Sequence, residues 1–235
     1  VWKEQKFLLN NIMKIKTILT LILIIIPLNV YGNFLKLNTP AKQVILYDHE
    51  LKKVLFEKNS NDIMKPASMA KIMTAYIVFD RLQEGSLNLD DNFVVSKNAW
   101  QKGGSRTFLK LNSEVTIRDL LMGLIVQSGN DAAIVLAEGI AGSEEDFAIQ
   151  MNQYANSLEM KNTHFTNSTG WPHEDLKTTA YDLIILTEAL INNFPKLYKL
   201  FVEKEFTFNN IRQPNRNPLL IGRYKVPGAD GLKTG

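Results

Sequence analysis

Two apolar runs early in the chain have the pattern of paired strands. Residues 43–48, Gln-Val-Ile-Leu-Tyr-Asp, and residues 53–58, Lys-Val-Leu-Phe-Glu-Lys, are both rich in strand-forming side chains. A polar stretch at 49–52 separates them. Because a short polar break between such runs is typical of a hairpin, we predict an antiparallel pair here.

Residues 68–84 show the spacing of a helix with one buried face. Their apolar side chains recur at helical intervals, at Ile72, Ala75, Phe79 and Leu82. Gly85 follows as a stop signal, and Pro66 precedes the run. We therefore predict that Ser68 begins a buried helix.

The middle of the chain, residues 116–194, predicts a mostly helical block. Capping-box starts precede its apolar periodic runs at Thr116 with Asp119, Ser143 with Asp146, and Thr179 with Asp182. We expect the block to end near Pro195. Asparagine-containing patches at 59–61, 88–92 and 209–217 predict loops.

Strand character returns in the last part of the chain. Residues 205–208 read Glu-Phe-Thr-Phe, and residues 224–234 form an apolar stretch punctuated by Gly228 and Gly231. Strands before and after a helical block predict an α+β fold, in which a helical region at about 90–200 is inserted into an antiparallel sheet.

The first 32 residues have the features of an export leader. From Met13, a cationic start is followed by an apolar run at 17–27 and by small residues at positions 30 and 32. This pattern predicts a secretory signal peptide at 13–32, cleaved after Gly32, and an uncleaved membrane anchor is the alternative. Residues 1–12 are interpreted as an over-extended reading frame. The cleaved signal peptide and the uncleaved anchor both predict a protein exported to the periplasm or to the outer face of the cytoplasmic membrane.

Composition excludes several functions. The 235 residues are 45% hydrophobic and 22% charged, as in ordinary globular proteins. The formal net charge is +3, and the four lysines and one glutamate of the first 32 residues account for all of it. A neutral body predicts no nucleic-acid partner, since such binding needs clustered Lys and Arg. The absence of cysteine excludes disulfides, thiolate catalysis and cysteine-based zinc sites.

Ser68 and Lys71 form the first candidate chemical motif, Ser-x-x-Lys. Three positions apart at a helix start, their side chains lie on one face. A lysine amine activates a serine hydroxyl only if burial and a nearby cation lower its pKa. Standing alone the motif is weak, because a capping serine followed by a surface lysine has the same spacing.

The second candidate motif, Ser-Gly-Asn at 128–130, interrupts an apolar helical stretch. Ser128 could relay a proton, Gly129 lets the backbone pass close, and the amide of Asn130 can orient Lys71 and a substrate carbonyl. The alternative is a plain loop in which Asn130 or Asp131 caps the next helix.

The third candidate motif, Lys-Thr-Gly at 233–235, follows an apolar, strand-like approach. On an edge strand, Lys233 would place a second cation near Ser128, Thr234 could bind a substrate carboxylate, and Gly235 would leave room for a peptide backbone. The tripeptide alone is not diagnostic. Its value comes from its rank after the other two motifs and from the 105 positions between Ser128 and Lys233.

Together the three motifs resemble those of the penicillin-recognising serine enzymes. The Ser-Gly-Asn form of the second motif is similar to that of the low-molecular-mass penicillin-binding proteins, the serine-type D-alanyl-D-alanine carboxypeptidases. Neighbouring stretches agree, at 66–71, 128–133, 215–217 and 230–235. The resemblance covers about 33–235 and implies the α+β fold that β-lactamases share with penicillin-binding transpeptidases.

The resemblance implies a role for each matching residue. Ser68 would be the acyl-forming nucleophile, Lys71 its general base and Ser128 the proton relay. The substrate-binding residues would be Asn130, Lys233, Thr234, Gly235 and Arg216. No metal or other cofactor is implied.

The implied reaction removes the terminal D-alanine from peptidoglycan pentapeptides that end in D-Ala-D-Ala. It passes through an acyl-enzyme, which β-lactam antibiotics also form as covalent inhibitors. A β-lactamase is one alternative, and a non-catalytic fragment that at most binds peptidoglycan or β-lactam is another. Membrane association is a further expectation, through the leader as an uncleaved anchor or, as the resemblance implies, through an amphipathic C-terminal tail.

The resemblance further implies strands and a helix beyond Gly235, and an oxyanion-hole donor at the residue that follows it. Loss of one such donor costs about 3 kcal/mol of transition-state stabilisation. We therefore expect the catalytic domain at 33–235 to be incomplete, with C-terminal strands missing. On this expectation a longer version is an active carboxypeptidase and this chain is weak or inactive.

Overall fold

The structure is a computed structural model that describes Trp2 and residues 37–235. The predicted signal peptide at 13–32 and its cleavage point lie outside the described residues and stay predictions. In the described part of the chain, no helix has both the length and the apolarity to cross a membrane.

The predicted hairpin is confirmed. β1 (Val44–Asp48) pairs antiparallel with β2 (Lys53–Lys58), and the register shifts between Leu46 and Tyr47. β1 packs against the helix at Ala180–Asn193, which closes one side of the hairpin.

The predicted helix at 68–84 is confirmed over most of its length, but it starts with a tighter turn. Ala67–Ala70 form a 3₁₀ turn, and α1 follows at Lys71–Glu84. The expected inward positions are buried, at Ile72, Ala75 and Phe79. Gly85 ends α1 with a left-handed φ of 76°, which glycine adopts without a Cβ clash. Ser68 therefore lies in the 3₁₀ turn, just before the α-helix.

The remaining helices form the predicted helical block and one short helix ahead of it. They are α2 (Lys97–Gln101), α3 (Ile117–Met122) with a π-helical turn after it (Gly123–Gln127), α4 (Asn130–Ala141), α5 (Glu144–Ser157) and α6 (Ala180–Asn193). The predicted caps are confirmed. The side-chain oxygens of Thr116, Ser143 and Thr179 each accept the N–H group three residues further on.

Within residues 37–235 the strands form three separate two-stranded sheets. Besides β1 and β2, β3 (Asn92–Val94) pairs with β4 (Glu114–Thr116), and β5 (Glu205–Phe208) pairs with β6 (Ile211–Pro214), all antiparallel. The α+β class and the strand at 205–208 are confirmed. The prediction of a loop at 209–217 is wrong where β6 forms, because a four-residue strand has too few positions to show an alternating pattern.

The predicted strand at 224–234 is also wrong. Gly222–Tyr224 form a 3₁₀ turn, and the residues after it contain no strand. A strand needs a neighbour to complete its backbone hydrogen bonds, and none of the described strands pairs with this segment. Side chains hold it instead, for example Nδ2 of Asn217, which donates to the carbonyl oxygen of Gly231 at 2.7 Å. Lys233, expected on an edge strand, lies on an irregular segment.

α1 is the centre of the core and brings the parts of the candidate site together. It packs against α4, α5 and α6. Large buried side chains fill the core, among them Phe79, Phe147, Phe165 and Phe201. The first residue of α4 and the loop between α5 and α6 both contact the start of α1.

Candidate active site

Ser68 and Lys71 lie one turn apart where the 3₁₀ turn joins α1. Nζ of Lys71 lies 3.2 Å from Oγ of Ser68. Lys71 is 1% exposed, whereas Ser68 is half-buried. A hydroxyl that a substrate can reach, beside an amine that water barely reaches, is an arrangement that suits a nucleophile and its base.

Two more groups hold the amine of Lys71. Nζ donates to Oδ1 of Asn130 at 2.8 Å and to the carbonyl oxygen of Thr169 at 2.6 Å. Both of these oxygens can only accept, whereas the hydroxyl of Ser68 can donate or accept. A neutral amine can thus direct two N–H groups to Asn130 and Thr169 and its lone pair to Ser68. The geometry therefore fits the base form as well as the ammonium form.

The surroundings lower the pKa of Lys71 from 10.5 to about 7. Burial is the largest cause, because it removes water from the ammonium group, and the cations of Lys233 and then Arg216 add repulsion. The carboxylates of Glu144 and Asp131 act in the opposite direction. A large fraction of Lys71 is therefore neutral near pH 7, as general-base catalysis requires.

A sharp turn presents Ser128 and Asn130 to the site. Ser128 has a left-handed φ of 60°, and α4 begins at Asn130. Nδ2 of Asn130 donates to the carbonyl oxygen of Gly103 at 2.8 Å. This hydrogen bond orients the Asn130 amide so that its Oδ1 faces Lys71. A Cβ on Gly129 would lie 2.2 Å from Oγ1 of Thr107, so this turn requires glycine.

Asp131 anchors the same turn from the protein interior. Its side chain is fully buried, and its carboxylate accepts the N–H of Thr107 at 2.8 Å and the N–H of Leu109 at 3.2 Å. The loop that contains Gly103 is thereby held against the start of α4.

Lys233 lies next to Ser128. Its Nζ donates to Oγ of Ser128 at 2.8 Å and to the carbonyl oxygen of Thr234 at 3.0 Å. Burial, followed by the nearby cation of Arg216, lowers the pKa of Lys233 from 10.5 to about 7. The hydroxyl of Ser128 thus has a second weakly protonated amine beside it.

The other predicted substrate-binding residues surround these two lysines. Arg216 is exposed, and its charge reaches both Lys71 and Lys233. Thr234 is half-buried. Gly235 lies against the turn that carries Ser68, because a Cβ on it would lie 2.9 Å from the carbonyl oxygen of Pro66.

The predicted residues therefore come together in two hydrogen-bonded groups. Ser68, Lys71 and Asn130 form one, and Ser128 with Lys233 forms the other. Among the described residues, no hydrogen bond joins Ser128 to Ser68 or to Lys71. The proton-relay role of Ser128 stays a prediction.

Thr169 and Gly170 are parts of the site that the sequence did not predict. The carbonyl oxygen of Thr169 makes the shortest contact of Lys71. Gly170 has a φ of 77°, and a Cβ there would lie 1.8 Å from the carbonyl oxygen of Ala67. Only glycine lets this loop meet the turn of Ser68. The available signal was the polar run Thr-Asn-Ser-Thr-Gly at 166–170 between two helices.

The site holds no acid or histidine cluster of the kind that binds metals. Across residues 37–235, no group of three or more His, Asp or Glu side chains is placed to share an ion. A cleft of about 770 Å³ lies elsewhere, at the C-terminal end of α1, and its walls include Leu82, Leu89, Phe194 and Leu197. The 14 residues of α1 span about 20 Å, so this cleft is remote from Ser68.

The fold and the Ser-Lys pair define a class, the penicillin-binding serine enzymes, and solved structures agree. The D-alanyl-D-alanine carboxypeptidase DacD of Francisella tularensis matches with a TM-score of 0.82 and 32% identity, over 85% of this chain and 60% of that one. Penicillin-binding protein 5 of Haemophilus influenzae matches with a TM-score of 0.75 and 37% identity, over 78% and 55%. Penicillin-binding protein D2 of Listeria monocytogenes, solved in an ampicillin-bound form, matches with a TM-score of 0.75 and 27% identity, over 85% and 80%.

The chain belongs to the D-alanyl-D-alanine carboxypeptidase family, peptidase S11, whose profile matches residues 34–235. It is 44% identical over 201 residues to the D-alanyl-D-alanine carboxypeptidase DacC of Escherichia coli K12, which covers 83% of this chain and 50% of that protein. It is 38% identical over 200 residues to DacF of Bacillus subtilis, with the same coverage. The chain spans about half the length of the curated relatives it matches.

Proposed function

We propose that the protein is a serine D-alanyl-D-alanine carboxypeptidase, which acts outside the cytoplasmic membrane on peptidoglycan stem peptides. The observation that carries the proposal is the environment of Lys71, whose amine contacts the hydroxyl of Ser68 at 3.2 Å and has a pKa lowered to about 7. A buried amine of this kind is suited to take the proton from a serine nucleophile.

The first chemical step is acylation of Ser68. Neutral Lys71 accepts the hydroxyl proton while Oγ of Ser68 attacks the carbonyl carbon between the two terminal D-alanines. The peptide bond breaks, and the departing D-alanine amine takes the proton that Lys71 accepted, directly or through the predicted relay Ser128, which Lys233 contacts. Water then hydrolyses the ester on Ser68 and restores the free hydroxyl.

The carboxylate of the terminal D-alanine is expected to lie on the Lys233 side of the site. Lys233 and Arg216 supply positive charge there, and the hydroxyl of Thr234 adds a neutral donor. The Asn130 amide, held by Gly103, is proposed to orient the peptide chain.

β-Lactam antibiotics are proposed to acylate the same serine, since a relative of this fold is known in an ampicillin-bound form. A strained lactam presents its carbonyl carbon to Ser68 in place of the peptide. The lifetime of the resulting ester separates a carboxypeptidase, in which it is long, from a β-lactamase.

Labelling with a fluorescent penicillin, followed by an assay for released D-alanine, tests the proposal. Stable labelling and D-alanine release that both disappear in Ser68→Ala support it. Ser86→Ala, which alters an exposed serine just beyond the C-terminal end of α1, is the matched control and is expected to label normally. Rapid loss of the label would indicate a β-lactamase, and absence of any label would indicate a non-catalytic protein.

A further inference from the structure

The first turn of α5 holds three acids with different surroundings, Glu144, Glu145 and Asp146. Asp146 completes the helix cap: its N–H donates to Oγ of Ser143 at 3.0 Å, and its carboxylate accepts from the same hydroxyl at 2.7 Å. Glu145 is exposed. Glu144 is half-buried and faces the loop between α5 and α6. Capping therefore does not account for Glu144.

The carboxylate of Glu144 holds the loop that reaches Lys71. Its Oε1 accepts the N–H of Ser168 at 3.1 Å and the hydroxyl of Ser168 at 2.6 Å. The carbonyl oxygen of Ser168 accepts from Oγ1 of Thr74, one turn along α1 from Lys71, at 2.7 Å. The carbonyl oxygen of the next residue, Thr169, accepts from Nζ of Lys71. One carboxylate thus supports the segment that supplies the closest contact of the lysine.

Glu144 also belongs to the set of charges that face Lys71. Lys233 and Arg216 approach from the last part of the chain, Asp131 from α4 and Glu144 from α5. The two cations disfavour the ammonium form of Lys71, and the two carboxylates favour it. The carboxylate of Asp131 is already committed to backbone N–H groups, whereas Glu144 engages the loop through one oxygen.

We propose that Glu144 is a positioning residue for the Lys71 base. Glu144 holds the Ser168–Thr169 segment against α1, and its negative charge acts on Lys71. The inference rests on the proposed function, since it requires Lys71 to be the base for Ser68. The charge acts against the repulsion from the two cations and so favours the ammonium form of Lys71. A base that must take a proton and return it needs both forms.

The variant Glu144→Gln tests this role, because glutamine keeps an oxygen that can accept from Ser168 and loses only the charge. The rate of Ser68 acylation by fluorescent penicillin is measured from acid to alkaline pH in the intact protein. We expect the acid limb of the rate profile to shift toward lower pH, since removal of the carboxylate lowers the pKa of Lys71. Glu145→Gln removes the same charge from the same helical turn and is expected to leave the profile in place.

The outcomes separate this inference from the proposed function. A Glu144→Gln profile that coincides with those of the unchanged protein and of Glu145→Gln overturns the role of Glu144, even if stability falls. Absence of labelling in the unchanged protein overturns the proposed function itself. If Glu144→Gln does not fold by circular dichroism, Glu144→Asp withdraws the carboxylate from Ser168 by one methylene. The Glu144→Asp variant must then shift the rate profile toward lower pH, and an unshifted profile overturns the inference.

Discussion

Nζ of Lys233 lies 2.8 Å from Oγ of Ser128, although 105 positions separate the two residues in the chain. Lys71 contacts its own serine, Ser68, in the same way at 3.2 Å. The pKa of each lysine is lowered to about 7, and burial is the largest cause in both cases. Near neutral pH each of these amines is partly neutral and can accept a proton from the serine hydroxyl beside it. A fully charged lysine has no lone pair with which to accept one.

Removal of the Lys233 cation is expected to make Lys71 a stronger base. In Lys233→Met the repulsion that lowers the pKa of Lys71 is lost, so this pKa rises and the acid limb of the penicillin-acylation profile moves to higher pH. Arg216→Gln should move the limb in the same direction by less, because Arg216 is the smaller cause. Lys97→Met, at an exposed lysine on α2, is the control. A shift to lower pH in Lys233→Met would contradict the electrostatic account.

Gly170→Ala is expected to destabilise the protein and to abolish acylation. The new Cβ would overlap the carbonyl oxygen of Ala67 and would also strain a φ of 77°. We expect a loss of about 3 kcal/mol or more in the free energy of unfolding, because the clash is with backbone. Gly142→Ala has a similar φ of 86° with open space around it, and it should cost only about 1 kcal/mol. Urea unfolding and penicillin labelling measure both effects, and equal losses in the two variants would exclude the predicted clash.

Asp131→Asn is expected to loosen the loop at 102–109. Its carboxylate accepts backbone N–H groups from Thr107 and Leu109, and hydrogen bonds to a charged group contribute about 1.5–3 kcal/mol each. We expect a loss of about 2–4 kcal/mol in the free energy of unfolding. Asp119→Asn, in the first turn of α3, should cost less than about 1 kcal/mol, since only its N–H is engaged in the cap. Thermal and urea unfolding of both variants give the comparison, and a smaller loss in Asp131→Asn than in Asp119→Asn would refute it.

The lowered pKa of Lys71 also predicts how stability depends on pH. Between pH 7 and 10.5 the unfolded chain binds the proton of this lysine more tightly than the folded protein does, so the contribution of Lys71 to stability increases with pH. The destabilisation caused by burying protonated Lys71 is complete below about pH 7 and disappears above pH 10.5. In Lys71→Met this dependence is absent. The difference in free energy of unfolding between the two proteins should therefore change by up to about 5 kcal/mol across that range.

Urea unfolding of the unchanged protein and of Lys71→Met at several pH values in this window measures that difference. The gain of the methionine variant over the unchanged protein should be largest at the neutral end. A difference that stays constant with pH would mean that the lysine is as easily protonated in the fold as in the unfolded chain. Acylation should be lost in the same variant, by about 10³-fold or more, because Lys71 is the base that contacts Ser68 among residues 37–235.

The helix starts could be predicted because a cap is a local interaction. Thr116, Ser143 and Thr179 each bond to an N–H only three residues away, so a short stretch of sequence contains both partners. Strand pairing is different. The apolar stretch at 224–234 has the pattern of a strand but contains none. The short strand Ile211–Pro214 lies within an asparagine-containing patch whose pattern predicts a loop. A strand is defined by its neighbour, which the pattern of a single segment does not contain.

The family and its reactive groups can be read from the sequence alone: a serine and a lysine three positions apart at the start of a buried helix, a second serine at 128, and a second lysine at 233. The protonation and contacts of those groups depend on the fold. Lys71 becomes a base only where α1 buries it, the carbonyl oxygen of Thr169 meets it and Lys233 comes near it. These neighbours are distant in the chain, and the pKa of an amine depends on its solvent and charges in space, so only the folded protein sets it.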